Sequence, residues 1–281
     1  MKKQFISSII SILLVAALVA VSGCGNKSDS ETTTSAENSA TTVISQTVPD
    51  SENDAAATES VSETTAPSAA VTEEETTLKK PETVEEIVEY FNKSANRIKT
   101  EATKVVKNYE KRIIDKDNLV VPKALESLAD SLIDTFMKDD TEPIVYSTKE
   151  EIRNEYIVPE QDYVSVLKAE YVKEATCVDK GDVYEITIKL KDEKNPTAGS
   201  GVASVCDVIE AHEVSDKVSF VESFTTEYNN CEVRVTVDKA TGRVVKSHYI
   251  TPLVLDVTIN MFGTHRGAVG LTFEKDYTIT Y

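Results

Sequence analysis

The chain has 281 residues, 48 of them acidic against 30 basic, for a formal net charge of −18 at pH 7. A chain so acidic, with no basic stripe, excludes the phosphate backbone of nucleic acid as a partner. Apart from Cys24, the cysteines are Cys177, Cys206 and Cys231, an odd number with no short metal-type spacing. An obligate disulfide framework is therefore not expected: at most one bridge can form, and buried thiols acting as small hydrophobes are the default.

Lys2 and Lys3 precede a mostly apolar run from Phe5 to Val21. The run is short for a spanning helix, which needs about 20 apolar residues. A charged start, an apolar middle and small residues at its end have the form of a secretory signal. Val21-Ser22-Gly23-Cys24 resembles the bacterial lipobox. That resemblance implies cleavage before Cys24, a diacylglyceryl thioether on its sulfur, often a further acyl chain such as palmitate on its amine, and a lipid anchor on the extracytoplasmic face of the cell membrane. Two or more acyl chains anchor stably where one does not.

Residues 1–23 are thus a signal peptide, and 24–80 form a lipidated cysteine followed by a stalk. From Gly25 to about Lys80 the chain is built of Ser, Thr, Ala and Glu, without aromatic residues. Such a segment cannot bury enough apolar surface to offset its ordering entropy, so disorder is expected. A flexible chain of this length spans roughly 40 Å. Residues 81–281 remain for one globular α+β domain, helical over 81–172 and mainly strand over 173–281.

Thr83 and Glu86 have capping-box spacing behind Pro81. Apolar residues then recur at Val84, Ile87, Val88, Phe91, Ala95, Ile98, Ala102, Val105, Val106, Tyr109 and Ile113. Steps of three and four predict one long amphipathic helix over 83–113, a core face rather than a cofactor groove. A second helix is expected from Pro122, burying Leu125, Leu128, Leu132, Ile133 and Phe136, with Asp139 and Asp140 at its end. Ser147 and Glu150 suggest a third, short helix stopped by Pro159.

From Glu174 the period changes to two. Ala175–Val178 and Val183–Leu190 read as a hairpin with Cys177 opposite Tyr184, on the apolar face with Ile186, Ile188 and Leu190. Val202, Val205, Cys206 and Ile209 suggest a short amphipathic helix. Cys231, Val233, Val235 and Val237 face inward on the next strand. Asp238 and Gly242 frame a bulged hairpin turn. In the returning segment Pro252 predicts a bend or an edge position. Beyond it Leu253, Leu255, Val257 and Ile259 share a face, and a last strand turns Val269, Leu271, Phe273, Tyr277, Ile279 and Tyr281 inward. The expected fold is an antiparallel meander of about five strands with the helices packed on one face.

The segments YEITIKLKDEKNPTAGSG and NNCEVRVTVDKATGRVVKSHY, with the helical opening EEIVEYFNKSANRIKT, resemble uncharacterised cell-surface lipoproteins of clostridia-like bacteria. That likeness implies a Gram-positive cell surface and carries no activity. The architecture also resembles half-barrel lipid-carrier lipoproteins, at the level of fold alone.

Chemistry-bearing motifs are sparse. His212 lies in Glu-Ala-His-Glu, which reads as a solvated helix end. His248 falls on the polar side of a strand, and His265 in the loop Gly263–Gly267. Nucleotide-binding and nucleophile-elbow motifs do not occur. No catalytic set, metal site or cofactor is expected, and the chain reads as a non-enzymatic surface lipoprotein. Its domain could hold an apolar ligand between the long helix and the sheet, lined by Tyr184, Ile186, Val233, Val235, Leu253, Leu255, Leu271 and Phe273. Alternatively its outer face binds an envelope protein or the wall in a structural or assembly role. An envelope hydrolase is the third reading. A cavity of several hundred Å³ marks the first, a filled core the second, and a cleft of clustered carboxylates or histidines the third.

Overall fold

A computed structural model of the chain describes residues 80–121, 139–212, 221–260 and 263–281. The expected signal peptide, Cys24, the stalk and the helix from Pro122 to Phe136 lie outside the described residues.

Helix α1 spans Val84–Glu101 and begins as the sequence dictates. The Thr83 hydroxyl accepts from Glu86 N at 3.2 Å, and the Glu86 carboxylate accepts from Thr83 N at 3.1 Å. Its stripe of Ile87, Val88, Phe91, Ala95 and Ile98 is buried. The helix does not continue to residue 113. It ends at Glu101, and the next residues form strand β1, Lys104–Val120, paired along β9. The β-branched Thr103, Val105 and Val106 favour a strand here, and the ladder with β9 from Lys104 to Asp115 outweighs further helical turns.

The remaining elements, in chain order, are β2 (Ile144–Tyr146), α2 (Lys149–Glu155), β3 (Val172–Asp179), β4 (Val183–Leu190), β5 (Glu193–Lys194), β6 (Val221–Tyr228), β7 (Glu232–Asp238), β8 (Arg243–Asn260) and β9 (Thr264–Thr280). The fold is α+β, but the described residues carry nine strands rather than five, in the order β2-β1-β9-β8-β7-β4-β3, with β6 on β8 and β5 on β6. Every pairing is antiparallel. Helix α2 is the expected third helix, capped one residue later than expected, by Thr148 and Glu151 rather than Ser147 and Glu150. The segment at Val202 is a 3-10 turn, Gly201–Ser204, rather than an amphipathic helix. No described helix is long and apolar enough to cross a membrane.

The β3–β4 register differs from expectation. Lys180 N donates to Val183 O at 3.0 Å, closing a two-residue turn at Gly181, φ +86°. This places Cys177 opposite Ile186 and Asp179 opposite Tyr184. A slip of two leaves Cys177 on the apolar face. The Asp238–Gly242 turn forms as expected: Gly242 N donates to Asp238 O at 2.8 Å with Gly242 at φ +65°.

Pro252 neither bends β8 out of the sheet nor sits on an edge. On one side β8 pairs with β9 from Lys246 to Asn260, passing Pro252 opposite Thr272. On the other it pairs with β7 as far as Ile250 and with β6 from Leu253. The donor-less residue falls where the neighbour changes, so the chain loses little ladder there.

Candidate functional site

The sheet registers define the two faces row by row. One inner row runs Cys177, Ile186, Val235, Ser247, Tyr277, Lys107; the next runs Ala175, Ile188, Val233, Tyr249, Lys275, Glu110. Helix α1 packs over β3 and β8, with Tyr90 edge-on to Tyr184 at 6.0 Å. All eight residues expected to line a ligand are buried, none more than 9% exposed. None of them borders the described pocket, which holds about 30 Å³, room for a water or two.

The β1–β9 end of the inner face is charged. A β-bulge between Lys107 and Tyr109 shifts the alternation of β1, so that Lys107, Glu110 and Arg112 all turn inward. Lys107 Nζ lies 2.9 Å from Glu110 Oε2 and 3.3 Å from Asp140 Oδ2, while Arg112 Nη2 bonds Glu110 at 3.0 Å and Asp140 at 3.1 Å. Lys275 Nζ reaches Asp207 Oδ2 at 3.4 Å. Three cations thus meet three carboxylates. Around them, Tyr156 stacks edge-on with Tyr277 at 4.9 Å and exchanges a hydrogen bond with Ser247 at 2.8 Å.

The displaced pKa values on this face move away from neutrality. Burial pushes the Glu110 carboxyl up, but Lys275, Lys107 and Arg112 outweigh it and hold the group down at about 2. Burial also opposes the charge on Lys275, and the Asp207 and Glu110 carboxylates raise its pKa above the ordinary lysine value. Burial pushes Tyr156 up to about 12 and drives Tyr249 and Tyr277 well upward. Groups fixed this way hold charge and hydrogen bonds; they do not exchange protons near pH 7.

One polar edge of α1 fastens a loop. Asn92 Nδ2 donates to Leu167 O, and Asn96 Nδ2 donates to Ser165 O, both at 2.8 Å; Asn96 Oδ1 accepts from Val164 N at 2.8 Å and Ser165 N at 2.9 Å. Lys99 Nζ donates to Val158 O at 2.7 Å and Gln161 O at 2.9 Å. Val158 and Glu160 hold φ of 54° and 65°, strain that the α1 contacts keep in place. Burial lowers the Lys99 ammonium to about 8, aided by Arg153 and opposed by Asp162 and Asp207. The described pocket lies beside this loop, between Val158, Gln161 and Tyr163 and the Cys206–Glu210 segment.

The outer face is open. Its rows run Thr176, Thr187, Arg234, His248, Asp276, Tyr109 and Glu174, Lys189, Glu232, Ile250, Glu274, Lys111, and none of these residues is buried. Across β1, β9 and β8, Tyr109 donates to Glu274 Oε1 at 2.7 Å, His248 Nε2 lies 3.2 Å from the same oxygen, and Lys111 Nζ stands 4.6 Å above the Tyr109 ring. The Tyr109 hydroxyl, against the pull of burial and with help from His248, holds Glu274 below the usual carboxylate range. Sequence reasoning placed His248 on this polar side but missed Tyr109 and Glu274. The strand alternation around Glu274 was the available signal.

The other singled-out residues do not converge. His212 Nδ1 lies 3.7 Å from Glu210, itself buried. His265 stands within β9 opposite Ile259 rather than in a loop, and the neighbouring Arg266 pairs with Asp256. Asp140 exchanges backbone hydrogen bonds with Glu110 at 2.9 Å, and Asp139 accepts from Arg112 N at 2.8 Å, so both are fastened to β1. Among the described residues no three His, Cys, Asp or Glu side chains gather as metal ligands. Comparison with protein-family models, curated proteins and solved structures found no match.

Proposed function

We propose that this chain is a non-enzymatic lipoprotein, anchored through Cys24 on the extracytoplasmic face of a membrane, whose α+β domain presents the outer face of its sheet to another envelope protein. One observation carries the reading. Among the described residues the inner face is buried, apolar over β4, β7 and β8 and charge-paired over β1 and β9, while the outer face of the same strands is broad, polar and uncovered. The burial of all eight expected lining residues, none of which borders the described pocket of about 30 Å³, speaks against a stored apolar ligand, which needs several hundred Å³. The displaced acid and base groups on the inner face, held away from neutrality, favour binding over catalysis.

The chemistry of the outer face selects the class of partner. Lys111, Lys189 and Arg234 alternate with Glu174, Glu232, Glu274 and Asp276. Interspersed charges of both signs suit a protein surface of mixed charge, whereas a uniform polyanion would meet carboxylates in every row. The experiment is site-specific photo-cross-linking on intact cells. A cross-linker at Arg234, in the centre of the outer face, yields a discrete protein adduct, and one at Lys93, exposed on α1, does not. Equal labelling from both sites removes the outer face as the contact surface.

A further inference from the structure

The three cysteines of the domain are free and buried in the structure, and two of them share a neighbour. Glu232 pairs with Ile250, which sets Cys231, the preceding residue, beside Thr251, and its Sγ stands 3.8 Å from Pro252 O. Cys206, just beyond the 3-10 turn, has Thr251 as a side-chain neighbour. The next residue, Asp207, reaches Lys275 at 3.4 Å, and Lys275 is the register partner of Tyr249, two residues from Thr251 on β8. Cys206 N is itself fixed to Val202 O at 2.9 Å. Both thiols therefore flank one residue of β8 on the inner side of the sheet, and they are only 2% and 1% exposed. Cys177 is elsewhere. It sits on β3, separated from β7 by β4 and five residues along the strand from Val172, the partner of Leu190, whose N–H bonds Cys231 O. Strand geometry puts it on the order of 15–20 Å from Cys231, far beyond the Cα separation of about 4.4–6.8 Å that a disulfide spans.

We propose that Cys206 and Cys231 form an intramolecular disulfide when the folding domain meets a disulfide-bearing oxidant, leaving Cys177 as the domain's remaining thiol. One cysteine, as thiolate, attacks the oxidant's disulfide and expels one of its sulfurs as a thiol. The second protein thiolate attacks the protein sulfur of that mixed disulfide and expels the other. The protein loses two protons and two electrons, and the oxidant's disulfide is reduced to two thiols. Oxidants of this class belong to extracytoplasmic compartments, but the geometry is intrinsic to the domain and does not depend on the anchor. The bond would staple the Gly201–Cys206 segment to the end of β7. Burial pushes the Cys206 thiol up to about 12 and Cys231 further up, so exchange belongs to the folding or opened chain rather than to the closed domain.

The test uses the full chain carrying Cys24→Ser, unfolded and then refolded in a mixture of oxidised and reduced glutathione. The product is alkylated in denaturant, digested and mapped by mass spectrometry. The expected result is a Cys206–Cys231 linked peptide, two hydrogens lighter than the sum of its parts, with Cys177 fully alkylated. Cys177→Ser retains the bridge, whereas Cys206→Ser leaves both remaining thiols alkylated. Alkylation of all three cysteines after oxidative refolding, or a bridge that includes Cys177, overturns the proposal.

Discussion

The inner and outer faces are made from the same strands, one residue out of step, yet they are different materials. Inside, the row Cys177, Ile186, Val235, Ser247, Tyr277, Lys107 is between 1% and 7% exposed throughout. Outside, the row Thr176, Thr187, Arg234, His248, Asp276, Tyr109 contains no buried residue. Even the charges differ in kind. Lys107 and Glu110 are paired with their side chains 1% and 4% exposed, whereas Lys111 and Glu274 meet at 46% and 21%. A buried ion pair is costly to break, and an exposed one contributes little. Stability should therefore depend on the inner face and partner binding on the outer one.

The largest test of that contrast is Glu110→Ala. It leaves Lys107 facing a lost partner in the core and should cost about 3–5 kcal/mol, read as a lower urea midpoint. A paired Lys107→Met, Glu110→Leu variant should recover much of the loss. If Glu110→Ala costs under about 1 kcal/mol, water reaches the inner face and the contrast fails.

Acid should find the same group. The Glu110 carboxyl is held at about 2 against an unfolded value of 4.5, so its contribution is fully present above pH 4.5 and is lost as pH falls through 2. The drop is at most about 3 kcal/mol, and Glu110→Gln should flatten this part of the stability-against-pH curve. Lys99 works at the other end with the opposite consequence. Its folded value of about 8 lies below the ordinary 10.5, so the folded state binds the proton less tightly. Stability should rise between those pH values, by up to about 3 kcal/mol, and Lys99→Met should abolish the rise.

Gly201→Ala should cost about 1–3 kcal/mol in thermal or urea unfolding. Gly201 sits at φ +45°, and a Cβ there meets the Glu193 carboxylate, which accepts from Val202 N at 2.6 Å. The smallest expected effect is the most informative about function. Arg234→Ala, on the outer face, should change stability by no more than about 0.5 kcal/mol while reducing capture of the partner.

The sequence makes the inner face of the strand half legible because Ile186, Ile188, Val233 and Val235 alternate strictly with the polar residues Glu185, Thr187, Lys189, Glu232, Arg234 and Thr236. The start of α1 is legible too, since Thr83 and Glu86 are a local signal. Its end is not. The bulge between Lys107 and Tyr109 shifts a strand's period of two by one residue, and over Val105, Val106, Tyr109 and Ile113 the result mimics helical spacing. The charged cluster on β1 and β9 is hidden for a related reason. Lys107, Glu110 and Lys275 point inward, where alternation predicts apolar side chains, and their pairing with one another and with Arg112, Asp140 and Asp207 makes that position tolerable. The outer cluster of Tyr109, His248 and Glu274 likewise exists only through registers that join residues far apart in the chain.

The most direct measurement is native mass spectrometry of the chain lacking residues 1–24, purified without detergent, paired with organic extraction of whatever co-purifies. The account predicts a clean apo mass and an extract free of lipid, because the inner-face side chains are buried against one another and against α1. A stoichiometric lipid adduct, lost when Ile186 or Leu271 is enlarged to Trp, would contradict it and make the inner face the functional one.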